Sequence, residues 1–135
     1  MSSRSKRRWI HRDVALAVHE AQIAEHGGTP GVRDLGLLES ALARPIDAAA
    51  NARASVAELA ALYALGVIAN HPFADGNKRV GAVLLELFLE ENGYRLAAED
   101  AEFTAAILAV AAGELTAQEF TAWVRQSAAP LRRRR

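Results

Sequence analysis

The chain has no cysteine among its 135 residues, so it can form neither a disulfide nor a thiolate metal site. Aromatic residues make up only 6% of it, too few for the aromatic-rich strands of a β-sandwich. Half of the sequence is apolar, with alanine and leucine prominent, and this composition favours helices. No apolar run approaches the roughly 18 residues of a membrane span. The opening residues contain no apolar stretch of the kind that exports a chain, so a cytoplasmic protein is expected, with no membrane partner. At this length one domain with a substantial core is expected.

Net charge is also lacking, but the zero conceals an uneven distribution. Arg4, Lys6, Arg7 and Arg8 at one end and Arg132, Arg133, Arg134 and Arg135 at the other hold eight of the sixteen basic residues. All sixteen acids lie between them, so residues 9–131 carry a net charge of −8. Such runs read first as flexible, solvated ends, and residues 1–8 and 127–135 are expected to be tails around a domain spanning 9–126. Attraction to nucleic acid or an acidic partner is the second reading. The acidic body argues against direct DNA binding by the folded domain.

The hydropathy pattern predicts a helical series with short connections. Residues 12–26 place Val14, Ala17, Val18 and Ala21 at helical spacing and stop at Gly27-Gly28. Asp34 is expected to cap a second helix through about Ala43, ended by Pro45, with an alanine-rich stretch of undefined structure over 46–54. Ser55 with Glu58, and Thr116 with Glu119, have the spacing of capping boxes. The first opens a helix through Val56, Leu59, Ala60, Tyr63 and Val67, and the second a helix through Phe120, Trp123 and Val124. Between them, Val80, Val83, Leu84, Leu87 and Phe88 mark a helix ended by Gly93 and expected to be the central core element. Tyr94-Arg95-Leu96 should be extended, and a further helix should run from Asp100 to about Ala112. An all-α bundle of about six helices follows, with Trp9 and Trp123 as packing residues.

The densest chemistry lies in the run His71-Pro72-Phe73-Ala74-Asp75-Gly76-Asn77-Lys78-Arg79. If a helix begins near Asn77, its first backbone N–H groups lack internal partners and form an anion cradle behind the turn at Gly76. Arg79 adds a planar fork of donors and Lys78 a compact charge. Asp75 is a hard oxygen ligand of the kind Mg²⁺ accepts alongside substrate phosphates. His71 can take a proton near neutral pH. Phe73 is expected to enter the core and fix the loop, and Pro72 to hold His71 extended. Singly, each residue has a plainer reading: a capping or core histidine, a turn, an N-cap, a solvated face. His19, on the first helix, reads mainly as a surface or hydrogen-bonded residue. Residues 27–31 read equally as a helix stop and turn or as a mobile loop beside the site.

In the combination His71, Phe73, Asp75, Gly76, Asn77 and Arg79, the segment resembles the Fic/Doc family motif His-x-Phe-x-Asp/Glu-Gly-Asn-x-Arg. Fic enzymes proper usually carry glycine at the position of Lys78 and a second arginine at that of Ala82, so the chain is more similar to the Doc (death-on-curing) branch. His19-Glu20-Ala21, the glycine-rich segment 27–31 and Asn92-Gly93-Tyr94 extend the likeness over residues 9–126. The resemblance implies a compact Fic-fold bundle with the catalytic loop between two central helices. It also implies the toxin of a type II toxin–antitoxin system that inhibits translation, a Ser/Thr kinase-like phosphotransferase moving the γ-phosphate of ATP to a threonine of elongation factor Tu. By position, His71 would be the general base and Asp75 the Mg²⁺ ligand. Gly76, Asn77, Lys78 and Arg79 would bind the nucleotide phosphates, and Lys78 would narrow the loop to favour phosphate transfer. Nucleotidyl (AMP) transfer by the same fold and a catalytically idle, antitoxin-bound co-repressor are the alternatives. No inhibitory Ser/Thr-x-x-x-Glu segment is present, since Ser55 and Thr116 each meet glutamate after three positions. Restraint by a separate Phd-like antitoxin is therefore expected.

Overall fold

Two capping boxes set the frame. In a computed structural model describing residues 7–51 and 53–132, the Ser55 hydroxyl accepts from the Glu58 N–H at 3.1 Å while the Glu58 carboxylate accepts from the Ser55 N–H at 2.9 Å. Thr116 and Glu119 repeat the exchange at 3.0 and 2.9 Å. Each box satisfies two donors that a helix start leaves open. The helices they open are α3 (Val56–Asn70) and α6 (Ala117–Ser127), in a series completed by α1 (Arg12–His26), α2 (Leu35–Asn51), α4 (Asn77–Glu91) and α5 (Asp100–Ala111). Strands β1 (Tyr94–Leu96) and β2 (Ala128–Pro130) form a small antiparallel pair with Tyr94 opposite Pro130. The all-α expectation holds. Among the described residues no helix is long and apolar enough to cross a membrane.

The central helix is α3, not α4 as the sequence pattern suggested. Nine of its residues are buried, against seven on α4, and they cover more than half of its circumference because α2, α4 and α6 all pack against it. Small residues permit this crowding. A side chain on Gly66 would come within 3.3 Å of the Ala41 backbone of α2, and one on Gly81 of α4 within 3.3 Å of the Ala64 carbonyl. Tyr63, Phe73, Phe88 and Phe120 fill the space between the helices and are fully buried.

The second helix also departs from expectation. Asp34 caps α2, accepting from the Leu37 N–H at 3.0 Å, but the helix does not end at Pro45 and continues to Asn51 through the alanine-rich stretch. Proline has no N–H for the Ala41 carbonyl, a loss that costs an isolated helix about 3 kcal/mol. Here Leu38, Ala41, Leu42 and Pro45 form one buried face against α3, and that burial carries the helix across the missing bond.

The folded part extends beyond the expected tail boundaries at both ends. Asn92, just past α4, accepts from the Arg8 N–H through Oδ1 at 2.9 Å and donates through Nδ2 to the Arg8 carbonyl at 3.1 Å. The buried Tyr63 hydroxyl accepts from the Ile10 N–H, and Trp9 stacks on Phe88. At the other end, residues 128–130 are a strand rather than tail, because β1 offers an unpaired edge. Arg4, Lys6 and Arg133–Arg135 lie outside the described residues.

One acid is at odds with the packing. Burial raises the Glu86 carboxyl above the ordinary glutamate range, and the neighbouring Glu90 and Asp100 charges add to the effect. A raised value in the folded chain means that ionisation opposes folding. The contribution of Glu86 is therefore most favourable in acid and is lost as pH rises through the raised value. Glu86→Gln should raise the melting temperature at pH 7 by roughly 1–3 °C, with the difference from the parent vanishing as pH falls towards 4 in thermal scans.

Candidate functional site

The chain leaves α3 through His71, which is left-handed (φ 53°, ψ 54°), and not extended as the following proline suggested. Proline disfavours the right-handed helical region for its predecessor, and the left-handed state lets the His71 N–H close the helix on the Val67 carbonyl at 3.0 Å. Arg33 holds the turn from outside. Its Nε donates to the His71 carbonyl at 2.7 Å and its Nη2 to the Asn70 carbonyl at 3.0 Å, placing a cation at the negative end of α3.

The loop beyond is clamped from within by Asn77. Its amide accepts from the Phe73 N–H and donates to the Phe73 carbonyl, both at 3.0 Å, and the side chain is buried. The amide oxygen and one of its two N–H donors are therefore used inside the protein, and the helix start also offers a phosphate the backbone N–H of Asn77. Phe73 enters the core as expected and stacks flat on His19, with ring centroids 4.0 Å apart. His19 is buried too, and its Nε2 donates to the Asp75 carbonyl at 3.0 Å. It supports the loop from beneath.

A second segment lies along the loop. Val32 forms a bridge with Phe73, Ala74 donates to the Gly31 carbonyl at 3.0 Å, and the Arg33 and Asp34 N–H groups both reach the Pro72 carbonyl at 2.7 and 3.0 Å. Residues 31–34 thus run beside the motif loop, while Gly27 closes α1 on the Ile23 carbonyl at 2.8 Å, so segment 27–31 both ends the helix and lies next to the site. At Asp75 the contact becomes chemical. The Thr29 N–H donates to Oδ2 at 3.2 Å and the Gly76 N–H to Oδ1 at 2.9 Å. These bonds, the Thr29 contact first, hold the carboxyl below the ordinary aspartate range, so it stays ionised near neutral pH.

Gly76, left-handed at φ 80°, delivers the chain to α4, which begins at Asn77 as expected. The N–H groups of Asn77, Lys78 and Arg79 precede the first intrahelical donor, Val80, and have no partner in the helix. Lys78 and Arg79 are exposed beside them. Lys78 is the second residue of α4 rather than part of the loop, and it lines the cleft.

His71, Asp75, Lys78 and Arg79 share one cleft of about 530 Å³. Its far wall, unforeseen in the sequence, is α5, through Phe103, Thr104, Ile107 and Leu108. Nothing in the motif announces that wall, since α5 is 21 residues or more further along the chain. The cleft is anionophilic at one end and apolar at the other, a combination that suits a nucleotide. Among the described residues no three His, Cys, Asp or Glu side chains gather as metal ligands. An ion bound through Asp75 would take most of its ligands from phosphates and water, which fits Mg²⁺ and not a transition metal.

Gly28 makes the carboxylate position testable. It has φ 116°, and an added Cβ would stand 2.8 Å from Asp75 Oδ2. Gly28→Ala should push the carboxylate away, lowering Mg²⁺-dependent nucleotide binding about tenfold or more with little loss of helix content. Calorimetric titration of nucleotide with and without Mg²⁺ checks this.

Comparison with known proteins accords with this geometry. The model of the Fic/DOC family matches residues 9–89. The chain is 32% identical over 90 residues to a protein kinase doc of Escherichia phage P1, covering 66% of this chain and 71% of the relative. It is 39% identical over 75 residues to a Toxin Doc of Mycolicibacterium smegmatis, covering 54% of this chain and 58% of that relative. With the motif clamped between α3 and α4 and the family match running from the N-terminal segment through α4, this chain belongs to the Fic/Doc family.

Proposed function

We propose that the chain is a Doc-type toxin that transfers the γ-phosphate of ATP to a protein hydroxyl. The observation that carries this reading is the meeting in one cleft of an exposed histidine, an ionised carboxylate and the free N–H groups of α4. The relative named a protein kinase supports the choice of phosphate over nucleotide transfer, as does alanine at position 82, where nucleotidyl-transferring Fic enzymes usually have arginine.

In this mechanism His71 takes the proton of the attacking hydroxyl as its oxygen bonds to the γ-phosphorus. The bond from that phosphorus to the β,γ-bridging oxygen breaks, and ADP leaves. Negative charge on the phosphates is met by the N–H groups of Asn77, Lys78 and Arg79 and by the Lys78 and Arg79 side chains. Such charge stabilisation is where phosphoryl transfer gains most of its rate. Mg²⁺ on Asp75, when bound, would neutralise and orient the phosphates. The base and ribose would lie along Phe103, Ile107 and Leu108.

The proposed acceptor is a threonine of elongation factor Tu, with arrest of translation as the result, in the cytoplasm. The proposed restraint is a Phd-like antitoxin, since no inhibitory Ser/Thr-x-x-x-Glu segment occurs in the sequence and the His71, Asp75, Lys78 and Arg79 side chains are exposed. Purified chain, elongation factor Tu, Mg²⁺ and ATP labelled at either the α- or the γ-phosphate provide the test. Label should pass from the γ-position only, and His71→Ala should slow transfer about 10²–10⁴-fold and relieve growth arrest. Label from the α-position would establish nucleotidyl transfer instead, and no label with undiminished toxicity of His71→Ala would leave the chain a binding module.

A further inference from the structure

Asp75 and Gly76 line the cleft, yet most of the bonds that shape the motif loop bypass the peptide between them. The Asn77 amide ties residue 73 to residue 77, and the Ala74 N–H fixes the preceding stretch on the Gly31 carbonyl at 3.0 Å. Thr29 reaches the Asp75 carboxylate and not its peptide. Among the described residues, one hydrogen bond from another element meets the Asp75–Gly76 plane: His19 Nε2, on α1, donates to the Asp75 carbonyl at 3.0 Å. A trans peptide points its carbonyl and its N–H in opposite directions. Drawing the carbonyl beneath the loop therefore sends the Gly76 N–H the other way, where it donates to Asp75 Oδ1 at 2.9 Å.

We infer that His19 is a positioning residue for phosphate and Mg²⁺ binding, holding the Asp75–Gly76 peptide with its donor and not its acceptor towards the carboxylate. This role rests on the reading of the cleft as a nucleotide-phosphate site. His19 touches no ligand itself, since it is only 3% exposed and is not among the residues that line the cleft. Without its bond the peptide is free to turn over, because the loop stays clamped at residues 73 and 77 and Gly76, left-handed at φ 80°, accepts either sign of φ. Turning over is also favoured, since the Asp75 carbonyl would exchange a site without a donor for the open cleft and its water. The ligand then loses twice. The carboxylate is deprived of the Gly76 N–H that aims it, and a carbonyl oxygen stands where phosphates need donors.

The identity of the side chain agrees with this role. Stacking on Phe73, with ring centroids 4.0 Å apart and planes 9° from parallel, would be served as well by phenylalanine. What imidazole adds is an N–H in the plane of the ring, and the stack aims it. Phe73 is itself buried and locked by Asn77, so the direction of the His19 donor derives from the same clamp that shapes the loop.

Long-range proton–nitrogen NMR of the untagged full chain without ligand reads the first part. His19 should carry a proton on Nε2, and a neutral ring protonated on Nδ1 would overturn the inference whatever any variant does. Two substitutions then separate the ring from the bond. His19→Phe keeps a ring against Phe73 and removes the donor, whereas His19→Gln gives up the ring and keeps an N–H at a similar reach. Mg·ATP affinity measured by calorimetry should fall about 10–100-fold in His19→Phe, as when the support of a metal ligand is lost, and stay close to the parent's in His19→Gln. Melting temperature should run in the opposite order, and the Gly76 amide resonance should move in His19→Phe and hold in His19→Gln. A merely structural histidine would make affinity follow stability. Parent-like affinity in His19→Phe, or equal losses in both variants, would overturn the inference. A parent that bound no Mg·ATP would instead refute the proposed function, and the tautomer and the Gly76 resonance would still decide whether His19 orients the peptide.

Discussion

The candidate site depends on one buried side chain. The Asn77 amide exchanges two buried hydrogen bonds with the backbone of Phe73, closing residues 73–77 between α3 and α4 into a ring. Either bond, if broken, would leave a buried polar group without a partner, at a cost of about 1–3 kcal/mol. The ring can therefore hold only one shape. That shape sends Phe73 into the core and turns the ends of the loop outward.

Other elements make the same geometry hard to leave. Arg33 fixes the outgoing end of α3, His19 fills the space under Phe73 and ties down the Asp75 carbonyl, and the backbone of residues 27–34 runs alongside. These contacts bring α1, the segment before α2, and both central helices to a loop of a few residues. A phosphate site needs this kind of support, because its binding strength comes from dipoles and charges that do not have to reorganise when the ligand arrives. α3 is itself closely held, since nine of its residues are buried and small residues let α2 and α4 approach its backbone.

Charge is distributed to match. Lys78, Arg79 and the open end of α4 face the cleft, while residues 9–131 as a whole carry a net charge of −8. The N-terminus of α4 contributes directly to that local positive region.

Much was legible in the sequence because it depends on neighbours along the chain. The helices at Ser55 and Thr116, the start of α4 at Asn77, the burial of Phe73 and the residues of the motif all follow from spacing and local hydrogen bonding. The misreadings share a cause. Pro45 stays within a helix because α3 buries its face, His71 turns left-handed because Arg33 and Val67 receive it, and α3 is central because three helices crowd onto it. The Asn77 side chain is identified as a clamp only when Phe73 is seen beside it, and the α5 wall and the meeting of the chain ends are equally non-local. Which chemical groups stand together in the motif was determined by the sequence itself. Which of them face the ligand, and what faces them, was decided by tertiary packing, because burial and long-range hydrogen bonds override local preference wherever the two compete.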